Sequence, residues 1–425
     1  MSEGAAGGKR QAIVLGAGVA GLSAALYLQR AGFQVGVLDP LGPAGGASFG
    51  NAGLISAETV VPIALPGMLR KVPRWLLDPM GPLTVRAAYL PKAAPWLARW
   101  VMAGRMSRVL AISEALRALH ASAFDCWREL VGDVAFRQLV RQTGQVQVWT
   151  DAAETPTAAV ERALRERYGI RTEPLGVDEL RQMFPGLSRD VKRGLFVPAN
   201  GHTISPQRLV RALGEQLHAE GGQILPERAM KLIPGEGGGW TVMTNTANRR
   251  APVVVVAGGA WSGRLLEPLG IALPLETERG YHASIPSPSV ELRLPLMNKS
   301  VGFGLTPMED GLRAAGTVEI AGLDAAPDER RALIMAENAR RLFPDLQGGE
   351  PRLWMGFRPS FPDSLPVVGP APRRPGLFLC FGHGHFGMTG GPPSGRLVAD
   401  LAAGRTPAIE PAPYSPLRFG GAGAP

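Results

Sequence analysis

The stretch FGHGHFGMTG, residues 381–390, sets His383 and His385 one residue apart among four glycines. Such a pair can ligate a metal, act as a catalytic base pair, or belong to a loop that lies against a flat ring. H-x-H supplies at most two ligands, and no cysteine or acid cluster nearby completes a shell, so no metal is expected. Arg358 stands in GFRPSFPDSLPVVG, between an apolar strand and proline-fixed turns. Its planar fork can donate two parallel hydrogen bonds to a carboxylate, which lysine cannot reproduce. Tyr281 and His282 lie in RGYHASI, which alternates as a strand does; Tyr281 can either donate to a substrate or pack on the sheet. His202, in ANGHTISP, precedes Ser205 and Pro206, a good N-cap and first-turn pair for the helix that follows. A catalytic and a structural turn role both stay open for it.

These residues need elements to hold them. AIVLGAGVAGLSAALYLQRAG reads as an apolar strand, a glycine turn and a helix burying Ala20, Ala24 and Leu28. Gly16, Gly18 and Gly21 form G-x-G-x-x-G: a tight turn, close approach to a pyrophosphate, and close helix–strand contact. The helix start offers free N–H groups to phosphates. A second strand, QVGVLD, ends on Asp39, an acid suited to a ribose hydroxyl and unsuited to a 2′-phosphate. Further βαβ units, expected of an NAD dehydrogenase, do not follow. Instead VVVVAGGAW (253–261) and the strand LFLC before the histidine loop return much later. A nucleotide fold assembled from such separated pieces suits the larger cofactor FAD.

A chain of 425 residues suggests two domains, and a hydrophobic fraction of 45% against 19% charged is that of an ordinary globular protein. The net charge of +9 permits an anionic partner, yet no basic helix, zinc spacing or RNA-binding motif appears, so nucleic acid is not expected. Cys126 and Cys380 fall in apolar patterns and read as reduced core thiols. No secretory leader or spanning segment is read, so the expected location is cytoplasmic. Between residues 70 and 108, Arg70, Lys71, Arg74, Arg86, Lys92, Arg99, Arg105 and Arg108 face the single acid Asp78, with Trp75, Trp96 and Trp100 interleaved. Peripheral contact with the inner face of a membrane and a flap over the active site are both open. Pro73, Pro79, Pro82, Pro91 and Pro95 rule out any long amphipathic helix there. Val109, Ile112, Leu116, Leu119, Ala123, Trp127 and Leu130 then recur at helical spacing as one core-facing helix.

Six motifs run in order through residues 11 to about 408: GAGVAGLSAALYL, SFGNAGLIS, ERGYHASI, GFRPSFPDSLPVVGP, FGHGHFGMT and GRTPAI. With them the chain resembles the FAD-dependent D-amino-acid dehydrogenases of the glycine oxidase/D-amino-acid oxidase superfamily. The resemblance implies an α/β fold, α+β overall. A discontinuous Rossmann-like FAD-binding domain would comprise 10–58, 200–270 and 356–408. A substrate domain of mixed or antiparallel sheet and helices would comprise 59–199 and 271–355, with flexible tails 1–9 and 409–425. It implies non-covalent FAD held by the glycine motif and Asp39. Ser48, Asn51, Ala52 and Gly53 would close on the flavin, Ala229 and Met230 would touch the adenine end, and Gly258 would lie by the pyrophosphate. Gly382, His383, Gly384, Gly387, Met388 and Thr389 would follow the flavin, with the start of the last helix, after residue 390, near it.

In the same resemblance Arg358 holds a substrate carboxylate, Tyr281, His202 and His385 are catalytic or substrate-facing, and His383 supports the flavin. Asp363, Pro366 and Gly369 would shape the loop over it. The implied activity is oxidation of a D-amino acid by hydride transfer from its α carbon. GHT and GHGHFG are similar to the hydroxy-D-proline dehydrogenase branch, which implies cis-4-hydroxy-D-proline giving a pyrroline carboxylate. Alternatives are a broad D-amino-acid dehydrogenase of D-alanine type, a glycine or sarcosine oxidase, a flavoprotein subunit of an opine oxidase-like complex, and a non-enzymatic NAD module. The electron acceptor would be a quinone, a cytochrome or oxygen.

Overall fold

The structure, a computed structural model, describes residues 10–67 and 81–420. Two sheets carry it. The first has six strands in the order Gln223–Leu225, Phe33–Leu38, Arg10–Leu15, Val253–Val256, Leu377–Phe381, Val367–Pro370; all pairings are parallel except the last. Its central strands are continuous runs such as VVVV with all four residues buried, because helices cover a parallel sheet on its faces.

The helix after the glycine turn, Val19–Arg30, is buried from Val19 through Leu28. Helices Pro206–Ala219 and Gly387–Ala403 pack against it, which explains why it is apolar on every side. Small residues set the approach to the second of these: a Cβ on Gly395 would come within 2.6 Å of Ala24 N.

The second sheet has nine strands and is mixed. Along its main path run Arg352–Ser360, Glu276–Ile285, Gly311–Ile320, Phe303–Met308, Leu296–Asn298, Gln145–Trp149, Arg193–Val197 and Glu173–Leu175; Leu83–Val85 pairs beside Gly311–Ile320. Helix Arg330–Leu342 covers one face, burying Met335, Ala336, Ala339 and Leu342 against Ala283, Ile285, Leu312 and Ala314. The other face looks toward the first sheet.

Several sequence expectations change here. The spaced apolar positions Val109, Ile112, Leu116, Leu119, Ala123, Trp127 and Leu130 are all buried, yet they fall on two helices, Met106–His120 and Ala123–Leu139, that break at Ala121–Ser122. A helix of 14 residues, Leu90–Ala103, forms despite its prolines, with Pro91 in its first turn and only Pro95 inside. First-turn proline forfeits an N–H that has no helical partner anyway, so only one interior bond is lost.

The described part of the expected flexible tail, 409–420, is packed. Tyr414 is buried with its hydroxyl on Ala115 O at 2.7 Å, and Arg418 pairs with Asp363 at 2.8 Å. An aromatic anchor and a half-screened ion pair outweigh the entropy of a short tail. The expected tail 1–9 lies outside the described residues, as do Arg70, Lys71, Arg74, Trp75 and Asp78. Among the described residues no helix is long and apolar enough to cross a membrane.

Candidate active site

A cavity of about 970 Å³ runs from the glycine turn of the first sheet to the open face of the second. Its size exceeds what a lone amino acid needs and suits a dinucleotide plus substrate.

At one end, Gly16 takes φ +113°, and a Cβ there would strike Ala257 O at 2.5 Å. Gly18 differs: a Cβ would meet only Ser48 Oγ at 3.4 Å, so its front is open to the cavity. The helix behind it presents its N-terminus to that opening, the arrangement a pyrophosphate requires. Asp39, at the carboxyl end of Phe33–Leu38, accepts from Ala17 N and Leu41 N, both at 2.8 Å, and lines the cavity beside Ala229 and Met230. Ser48 Oγ accepts from Val19 N at 3.2 Å. The residues present therefore fit an FAD laid along this wall: Gly16, Gly18, Asp39, Ser48, Asn51, Ala52, Ala229, Met230 and Gly258 all line it.

Two expected contacts sit behind the wall. Gly21 is a packing residue whose Cβ would fall 2.0 Å from Gly16 O. Gly53 turns the chain at φ +77° under Thr203 O and donates to Asn51 Oδ1 at 2.8 Å. Neither lines the cavity, because both are spent on bringing backbones together.

The histidine loop lies where the two sheets meet. Gly382, His383, Gly384, His385, Gly387, Met388 and Thr389 all line the cavity. Two bonds fix the loop from outside: Trp127 Nε1 donates to Met388 O at 2.7 Å, and Thr389 Oγ1 accepts from Ser56 N at 3.0 Å. The last helix begins at Gly387, earlier than the sequence suggests, with Pro392 and Pro393 inside its early turns. Its N-terminus therefore opens at the loop itself.

The two histidines diverge. His383 is buried with Nε2 on Ser394 Oγ at 2.9 Å, tying the loop to the last helix. His385 is half-buried and points to Glu278, with Nε2 3.4 Å from Oε2. Burial lowers the pKa of both imidazoles, His383 to about 4 and His385 to about 3, the latter helped by Arg358. Both rings are neutral near pH 7.

Arg358 sits on the cavity face of Arg352–Ser360. Its guanidinium lies across Gly280 of the neighbouring strand, where a Cβ would fall 2.1 Å from Cζ. Nη1 donates to Thr317 O at 3.1 Å. Thr317 adopts φ +55°, costly for a β-branched residue, at a register shift where Glu276–Ile285 and Gly311–Ile320 lose step. The bulge aims that carbonyl at the arginine. Burial lowers the Arg358 pKa, and the Glu278 carboxylate works against that shift. Among the described residues Arg358 forms no ion pair, so its charge is available to a ligand.

Glu278 escaped the sequence reading. Its side chain is buried, and Oε2 has no hydrogen-bond partner. Burial pushes its pKa up to about 7, against the pull of Arg358 and the Ser360 hydroxyl; Glu276 adds to the rise. Strand alternation puts Glu278 on the face of Gly280, but only the pairing with Arg352–Ser360 shows that Arg358 shares that face.

The same alternation turns Tyr281 away. It is buried on the helix side of the sheet, donating to Glu319 Oε2 at 2.6 Å and accepting from Asp328 N at 3.1 Å. It does not line the cavity, so the sheet-packing role holds. His202 is likewise displaced from the expected site. It is buried in Gly201–Thr203, between Leu54–Ile55 and Val140–Arg141, with its pKa lowered to about 4 by burial. Ser205 caps the following helix as expected, accepting from Arg208 N at 3.4 Å.

His282 stacks on Trp354 at 5.0 Å with Nδ1 on Gly50 O at 2.9 Å. Trp96 and Trp100 are buried and line the cavity, Trp96 donating to Ser360 O at 3.3 Å. The described part of the basic segment is thus a cover over the site, with Lys92, Arg99, Arg105 and Arg108 on its outer side. Cys380 is buried on the cavity wall, and burial pushes its thiol up to about 12, which keeps it protonated near neutral pH.

A family profile described as FAD dependent oxidoreductase matches residues 11–401. A D-amino-acid oxidase of Bradyrhizobium diazoefficiens is 38% identical over 96% of this chain and 99% of its own. A D-amino acid dehydrogenase of Vibrio vulnificus is 32% identical over 93% of this chain and 96% of its own. Among solved structures, glycine oxidase from Geobacillus kaustophilus superposes with a TM-score of 0.73 at 20% identity, covering 96% of this chain and 98% of that one. The chain belongs to this family of FAD-dependent oxidoreductases, of the D-amino-acid oxidase and dehydrogenase type. FAD is its cofactor.

Proposed function

We propose that the protein oxidises the Cα–N bond of a D-amino acid, with cis-4-hydroxy-D-proline as the preferred substrate and a pyrroline carboxylate as product. One observation carries this reading: a guanidinium without an ion pair, laid over a glycine and held by a strained carbonyl, on the cavity face of the second sheet. Arg358 clamps the substrate carboxylate with charge-assisted hydrogen bonds and so fixes where the α carbon sits. Bound FAD supplies the acceptor for the hydride that leaves that carbon. Trp96, Trp100 and Phe386 keep water from the reacting atoms. The names of the two curated relatives support a D-amino acid, and the apolar cavity wall on the Arg358 side, with Trp354 and Phe386, suits a pyrrolidine ring.

The single chain should reduce an artificial electron acceptor with cis-4-hydroxy-D-proline at a higher kcat/KM than with D-alanine, glycine or sarcosine. Equal turnover of D-alanine would favour the broad dehydrogenase reading instead. Oxygen consumption in the same assay separates an oxidase from the dehydrogenase proposed here. The outer face of the cover supports a second element of the reading, contact with an anionic membrane surface. Lys92, Arg99, Arg105 and Arg108 there accompany exposed Leu90, Met102 and Met106.

A further inference from the structure

An amino acid arrives as a zwitterion, and Arg358 answers only its carboxylate. The ammonium must lose a proton before the nitrogen lone pair can assist departure of the α hydrogen. Among the described residues around Arg358, one acid faces the same cavity from the neighbouring strand. Glu278 stands directly opposite Arg358 in the strand register, at Glu278↔Arg358. It lines the cavity together with Gly280 and His385. Its Oε2 is buried without a hydrogen-bond partner and lies 3.4 Å from His385 Nε2. Burying a carboxylate with an unsatisfied oxygen is costly unless a ligand completes it.

We propose that Glu278 and His385 together are the proton acceptor for the substrate ammonium. This rests on the amino-acid reading above. The cluster then reads as a complement to a zwitterion, with a cation for the carboxylate and an acid one strand away for the amine. In the transfer, one ammonium N–H bond breaks and its electron pair stays on nitrogen. The proton passes to the pair and ends on the Glu278 carboxylate. His385 is the member more open to the cavity, with 28% of its side chain exposed against 7% for Glu278, so it meets the amine first. A neutral imidazole can accept on one nitrogen while donating from the other, which lets it pass a proton without holding a charge.

The charged and titratable groups facing Glu278 come from three elements. Arg358 on the neighbouring strand favours its ionised form, Glu276 on its own strand opposes it, and His385 approaches from the loop before the last helix. The Ser360 hydroxyl completes the set. Burial outweighs the rest and brings the carboxyl to about 7, where it can accept a proton near neutrality.

The test is the pH dependence of flavin reduction in rapid mixing of the FAD-loaded enzyme with substrate, for the wild type, Glu278→Gln and His385→Asn. The wild-type rate should rise with pH through one ionisation near 7. Glu278→Gln should remove that ionisation, lower the rate at pH 7 by roughly 10²-fold, and leave a profile that follows the substrate amine alone. His385→Asn should slow the reaction while the ionisation persists. A wild-type profile without an ionisation near 7 overturns the proposal even if Glu278→Gln fails to fold, and so does a folded Glu278→Gln enzyme with an unaltered profile. Binding of a simple carboxylate inhibitor, read from the flavin spectrum, should not weaken in Glu278→Gln, since a negative charge beside Arg358 is lost, which separates proton transfer from a disturbed Arg358. If no amino acid reduces the wild-type flavin, the substrate reading itself has failed and the pair falls with it.

Discussion

At the residue scale the site is governed by where one guanidinium points. Replacing Arg358 by alanine removes charge-assisted bonds worth about 1.5–3 kcal/mol each. KM for an amino acid should therefore rise by roughly 100-fold, with lysine recovering only part of it. Unchanged steady-state kinetics would remove Arg358 from the site. Tyr281 gives the complementary case. Its hydroxyl serves Glu319 and Asp328 on the far side of the sheet, so Tyr281→Phe should cost about 1–3 kcal/mol of stability by denaturant melt and leave KM alone. A raised KM at full stability would return it to the substrate. Arg358 was singled out through the GFRP motif of the family resemblance, since an arginine alone is ordinarily a surface residue. Glu278 was not: a glutamate is ordinarily a solvated residue, and only the pairing of its strand with Arg352–Ser360 brings it beside Arg358.

At the element scale two features position the chemistry, the bulge that turns Thr317 O toward Arg358 and the glycine on which that arginine lies. A methyl on Gly280 would overlap the guanidinium. Gly280→Ala should accordingly raise KM while the purified protein still carries FAD, since Gly280 belongs to the second sheet. Loss of flavin in this variant would show that the two sheets are not separable in this way. The cover helix Leu90–Ala103 predicts its own surface behaviour: the chain should co-sediment with anionic vesicles at low salt and release as salt screens the charges. Indifference to vesicle charge would reduce the segment to a cover alone. The glycine turn and its helix were legible because strand, spacing and helix repeat one pattern at short range. The bulge was not, since it is a mismatch between strands some 40 residues apart in sequence and has no local signature.

At the scale of the whole molecule, burial of histidines sets the acid limit. His120, His202, His282, His383 and His385 all have pKa values lowered by burial, to between about 3 and 4, from an unfolded value of 6.5. Between those values the unfolded chain binds protons that the folded chain refuses, so stability falls as pH drops below 6.5. Each group contributes about 1.4 kcal/mol per pH unit across its window. Glu278 and Glu276, with raised pKa values, act in the opposite sense and are outnumbered. Tm should decline steeply from pH 6.5 toward 4; a flat profile would contradict the burial of this set. The general class, a FAD-dependent oxidoreductase with sheets drawn from separated stretches, was readable because six motifs occur in order along the chain. The side of the sheet on which Tyr281 and His202 fall was not, since burial is a property of the assembled layers.

The most direct test is anaerobic titration of the purified yellow protein with a panel of D-, L- and N-alkyl amino acids, following the flavin absorbance. D-amino acids should bleach the flavin, cis-4-hydroxy-D-proline most strongly, and the L-enantiomers should leave it oxidised. A flavin that stays oxidised with every D-amino acid, or that is bleached equally by both enantiomers, would contradict the D-amino-acid reading.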